Sequence, residues 1–106
     1  MSKTVETLLA ELKSGLKGLY GERLRAVYLF GSYARGEAER ESDLDVLIVL
    51  DRLDSYGVEV DRTSKLVSGV SLKYGISVSR VFASEREWQK GGGVFLARVR
   101  EESVPA

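Results

Sequence analysis

The chain opens on a helical hydrophobic pattern and then shifts to short apolar runs broken by glycine and charge. Val5, Leu8, Leu9, Leu12, Leu16 and Leu19 fall on one face of a helical repeat, which predicts an amphipathic helix stopping near Gly21. Gly15 and Gly18 lie inside it, each at a cost of roughly 1 kcal/mol against alanine, so its second half is expected to be loose. Leu24 to Phe30 reads as a strand ended by Gly31, and Glu37 to Glu41 as a solvated, charged connection. A second strand spans about Asp43 to Leu50, acidic at its start and then apolar on both faces, as a central strand would be. Tyr56, Val60, Thr63, Val67, Val70 and Tyr74 line one face of a second long helix that Gly75 stops. Ile76 to Ala83 is a third strand. Ser84 and Glu87 form a capping box opening a short helix with Trp88, and Gly91-Gly92-Gly93 is a hinge before a last helical turn or two. The order predicts an α/β (α+β) fold: a small mixed sheet with helices packed on one face, and one domain over residues 1–106.

Composition then narrows the chemistry. The chain has no cysteine and no histidine, which excludes disulfides, thiolate or imidazole zinc sites, and Ser–His–Asp or Cys–His catalysis. Acid–base or metal chemistry must rest on carboxylates. Formal charge is zero, so composition gives no support to a nucleic-acid partner or an anionic membrane. No signal peptide opens the chain and no run is long and apolar enough to span a bilayer, so a cytoplasmic location is expected. Asparagine is absent, and Gln89 and Met1 stand alone of their kinds amid abundant Glu and Arg, a composition pattern of thermophile proteins.

The chemistry-bearing stretch is Phe30-Gly31-Ser32-Tyr33-Ala34-Arg35-Gly36, followed by Ser42-Asp43-Leu44-Asp45. Side chains alternate along a strand, so Asp43 and Asp45 share a face and can share a cation. A Gly-Ser turn at a strand end offers backbone N–H groups and a hydroxyl to a phosphate. Either half alone is commonplace: a strand-ending turn, or solubilising acids at a strand entrance. Together, with Arg35-Gly36 between them, they are far more specific.

This combination resembles the G-S-x-x-R-G…S-D-x-D signature of the DNA polymerase β-like nucleotidyltransferases, and above all their minimal nucleotidyltransferase (MNT) group. The resemblance implies that Gly31 and Ser32 contact the β- and γ-phosphates of ATP. It implies that Asp43 and Asp45 are the catalytic, Mg²⁺-holding carboxylates, and that Arg35 is a phosphate clamp or a partner of the aspartates. Members commonly add a third carboxylate from the next strand; here that position falls on Ser79, with Ser77 on the same parity. Asp51 cannot replace it, being six residues and roughly 20 Å beyond Asp45. The face bearing Arg98, Arg100, Glu101 and Glu102 reads as solvated, and Trp88, Phe95 and Tyr74 as core or interface. Stand-alone MNT proteins resemble the antitoxin of HEPN–MNT toxin–antitoxin pairs, which implies transfer of AMP to a tyrosine of a helical HEPN partner encoded next door. Homo- or hetero-oligomers are both compatible with that. The alternative is a non-catalytic nucleotide-binding module that neutralises its partner by covering it.

Overall fold

The computed structural model describes residues 1–106. Helix α1 (Lys3–Tyr20) begins where the Ser2 hydroxyl accepts the Val5 N–H, and it buries Val5, Leu8, Leu9, Leu12, Leu16 and Tyr20. Strand β1 (Leu24–Phe30) leads directly into the one-turn helix α2 (Gly31–Arg35), and β2 (Leu44–Leu50) follows the charged connection. Helix α3 (Tyr56–Tyr74) is capped by Ser55 and stopped by left-handed Gly75. After β3 (Val78–Ser84) come α4 (Glu85–Lys90), α5 (Gly93–Glu102) and a two-residue strand β4 (Val104–Pro105).

The sheet order is β3-β2-β1-β4, with β2 parallel to β3 and every other pairing antiparallel. The mixed sheet expected from the sequence is therefore present, and β2 is central and buried throughout its apolar length. Strand parity divides its side chains. Leu44, Val46, Ile48 and Leu50 join α1 and α3 in one core, while Leu47 and Val49 join Phe30, Ala83, Leu96 and Val99 in a smaller core on the opposite face. Both long helices lie on one face, as expected, and the opposite face carries a second, thinner cover from α4 and α5. That cover exists because α5 runs for ten residues, not the turn or two that its sequence pattern indicated.

Two features of α1 depart from the sequence reading. Leu19 is 43 % exposed and Tyr20 takes its place, because the Tyr20 hydroxyl donates to buried Glu59 at 2.8 Å. Glu59 also accepts from Arg62 Nε at 2.9 Å, so its charge is paired inside the fold. Helix α1 runs unbroken through Gly15, where a Cβ would lie 2.5 Å from Leu66 Cδ1, so the Leu66 side chain fills the space that glycine leaves.

Candidate functional site

Strand register assembles the site at one corner of the sheet. Phe30, the last residue of β1, pairs with Asp45, and Asp45 pairs on its other side with Ser79 of β3. Gly31 therefore sits directly beside the Asp45 carboxylate. Gly31 is buried with φ +75°, and a Cβ on it would overlap Asp45 Oδ2. Glycine is required here twice over, by backbone conformation and by contact. Ser32 follows in α2, whose end is closed by left-handed Gly36. On the other approach, Ser42 Oγ accepts the Glu39 N–H at 2.8 Å and the Ser42 N–H donates to Glu39 O, a local turn that delivers Asp43 to the start of β2.

The electrostatics follow from that geometry. Asp43 is exposed and Asp45 half-buried. Burial pushes the Asp45 carboxyl above the usual carboxylate range. The charges of Asp43 and Glu102 push it further, and Arg35 partly offsets them. Such a corner favours a cation. The oxygen-only donor set also fits Mg²⁺, which is commonly held by one or two carboxylates completed by substrate phosphates. No cluster of three carboxylates stands in metal-holding geometry, and the residue paired with Asp45 on β3 is Ser79. Ser79 is thus the β3 residue paired with Asp45, while Ser77 precedes β3 and its carbonyl accepts the Leu44 N–H at 2.8 Å.

Arg35 acts on Asp45 only through its charge, and its direct bonds go to other carboxylates. Its Nε donates to Glu37 Oε1 and its Nη1 to Glu102 Oε2, both at 2.7 Å. Glu102 Oε1 in turn accepts the Gly31 N–H at 3.2 Å. The solvated reading of the α5 face therefore fails at Glu102. Arg100 is exposed as that reading expects, with its guanidinium 4.6 Å from the centre of the Trp88 ring. The signal for Glu102 was absent from local sequence, since its contact with Gly31 spans 71 residues. Asp51 lies outside the site and pairs with Arg23 at 3.1 Å. No concavity of the molecule is lined by Asp43 or Asp45, so the corner is open to an approaching molecule rather than enclosed. No helix is long and apolar enough to cross a membrane.

Comparison with known proteins agrees with this geometry. The family profile described as "Nucleotidyltransferase domain" matches residues 9–101. The Methanocaldococcus jannaschii protein MJ0604, provisionally named a protein adenylyltransferase, is 38 % identical over 85 residues, covering 80 % of this chain and 79 % of that one. A solved structure provisionally described as a minimal nucleotidyltransferase is similar at 27 % identity and TM-score 0.56, over 95 % of this chain and 94 % of that one. A toxin–antitoxin structure with AMP-PNP shares the fold at TM-score 0.61 and 20 % identity, over 89 % of this chain and 68 % of that one. With motif, fold and relatives in agreement, the chain belongs to the nucleotidyltransferase domain family, as one of its minimal members, and is an enzyme of that type.

Proposed function

We propose that this protein transfers AMP from ATP to a tyrosine hydroxyl of a partner protein, with Mg²⁺, and thereby acts as the antitoxin to a helical HEPN toxin. The observation that carries the reading is the open end of the two inner strands: Gly31 after β1 lies against Asp45 at the start of β2, with Ser32 and Asp43 next to them in the chain, and no concavity there is lined by either aspartate. A triphosphate laid against Gly31 and Ser32 brings its α-phosphate toward the aspartates. Mg²⁺ held there would neutralise the phosphate charge and favour departure of pyrophosphate. The acceptor oxygen forms its bond to the α-phosphorus as the bond to the α–β bridging oxygen breaks, and the phenol proton leaves. With no histidine in the chain, the base this protein itself can offer for that proton is a carboxylate, solvent or a group of the partner being the other acceptors.

An acceptor from outside needs a docking surface. Val94 and Phe95 are 87 % and 52 % exposed, and Phe95 packs edge-on against Phe30, the residue preceding Gly31. That apolar surface falls in the segment Trp88 to Val99 and favours a partner seated over the site. The toxin–antitoxin assembly with AMP-PNP that shares this fold, and the relative named for protein adenylylation, support the same reading.

Ser79 opposite Asp45 favours a second reading, in which the protein binds nucleotide and partner without turnover. Intact-mass spectrometry of the co-expressed partner after incubation with Mg²⁺ and ATP separates the two. The expected result is a partner heavier by one or more AMP units. A partner that is bound and silenced at unchanged mass would leave the non-catalytic module.

A further inference from the structure

Glu102 closes α5 and reaches back to the first residue of the site. Its two carboxylate oxygens take different partners: Oε1 the Gly31 N–H at 3.2 Å, Oε2 the Arg35 guanidinium at 2.7 Å. The side chain is only 20 % exposed, so this is a seated contact and not a passing surface pair. The contact ties α5 to the start of α2, and the two donors it occupies, a backbone N–H and a guanidinium, are ones that any anion arriving there would seek.

We propose that Glu102 is a built-in competitor for phosphate: in the free protein its carboxylate occupies the anion position formed by Gly31 N–H and Arg35, and a nucleotide phosphate must displace it. The inference rests on the nucleotide reading of the site and adds a regulatory contact to it. Carboxylate and phosphate ask for the same donors, and one N–H aimed at one place serves one of them at a time. Displacement frees the end of α5, which runs directly into β4. Helix α5 also carries Arg100 on the face of Trp88, whose ring lies 4.8 Å from that of Tyr28. Trp88 is the only tryptophan, so its emission reports on whether α5 shifts.

The test is calorimetric titration of the full chain with Mg–ATP, with Trp88 fluorescence followed in parallel. Wild type, Glu102→Gln, Glu102→Ala and the double variant Asp43→Asn/Asp45→Asn are compared. Glu102→Gln keeps an acceptor for Gly31 N–H while removing the charge, so it retains the docked helix even if Glu102→Ala loosens it. Thermal melting of each free variant identifies those that are folded. Both Glu102 variants are expected to bind Mg–ATP about five- to tenfold more tightly than wild type, because no charged pair has to be broken first. The wild-type change in Trp88 emission on adding Mg–ATP should shrink in Glu102→Gln. Equal or weaker binding by folded Glu102→Gln, with binding still lost in the double aspartate variant, overturns the competitor and leaves the nucleotide site intact. Binding that survives the double aspartate change overturns the site, and the competitor with it.

Discussion

Replacing Asp43 and Asp45 together by asparagine is expected to weaken Mg²⁺-dependent ATP binding by about 100-fold or more and to abolish transfer, while the free protein becomes slightly more stable. The loss of binding follows from the donor set. Asp45 of β2 and Asp43 just before it are the two carboxylates proposed to hold the cation. No group of three acids stands in metal-holding geometry, and the remaining ligands would come from phosphate and water. The gain in stability follows from linkage. Burial first, then the charges of Asp43 and Glu102, hold the Asp45 carboxyl above its ordinary value of 3.8. A raised acid binds its proton more tightly in the folded state than in the unfolded one. Its ionisation therefore costs stability as pH rises from about 3.8 through the raised folded value, and the cost is fully present above it. Asp45 is only half-buried, so solvent screens the repulsion and the gain is expected to be small. Scanning calorimetry at neutral pH should show the double variant melting above wild type, and the difference should vanish below the unfolded carboxylate range. An unchanged Mg–ATP affinity would remove the site assignment.

Gly31→Ala should be the most damaging single substitution at the corner. The position has φ +75°, a conformation costing an L-residue about 1–2 kcal/mol, and the new methyl overlaps Asp45 Oδ2. Backbone relaxation or rotation of Asp45 must follow, and either takes a carboxylate or an N–H out of place. A fall of about 5–15 °C in melting temperature is expected, with loss of Mg–ATP binding. Gly36→Ala is the control. It shares the left-handed backbone, φ +72°, but its Cβ would enter open space, so it should lose stability while keeping measurable binding. A Gly31→Ala protein that still binds Mg–ATP like wild type would show that the close approach to Asp45 has no bearing on the nucleotide.

Much of this corner was legible in the sequence because it is built from local rules. The end of β1 at Phe30, the capping box at Ser84 and the stop at Gly75 each need only neighbouring residues. Alternation put Ser77 and Ser79 on one parity, and the family resemblance pointed to Ser79; the pairing of Asp45 with Ser79 needed the folded register. What stayed hidden depends on partners far along the chain. Glu102 lies in a mixed-charge helix end that looks solvated until α5 is folded back over the sheet. Tyr20 outcompetes Leu19 for the core only because Glu59 waits for its hydroxyl. Strand β4 is two residues long and contains Pro105, so no strand pattern marks it. It is held in place by pairing to Tyr28 and Leu29 and by the Ala106 N–H donating to Val27 O at 3.0 Å.

The most direct test of the nucleotide site is a crystal structure of this protein grown with Mg²⁺ and AMP-PNP. The expected density places the triphosphate against Gly31 N–H and Ser32, with a cation on Asp43 and Asp45 and Arg35 turned from Glu102 toward phosphate. Nucleotide bound elsewhere would contradict the account, for instance in the basic groove beside Lys13, Lys17 and Arg25, with Glu102 still seated on Gly31 and Arg35.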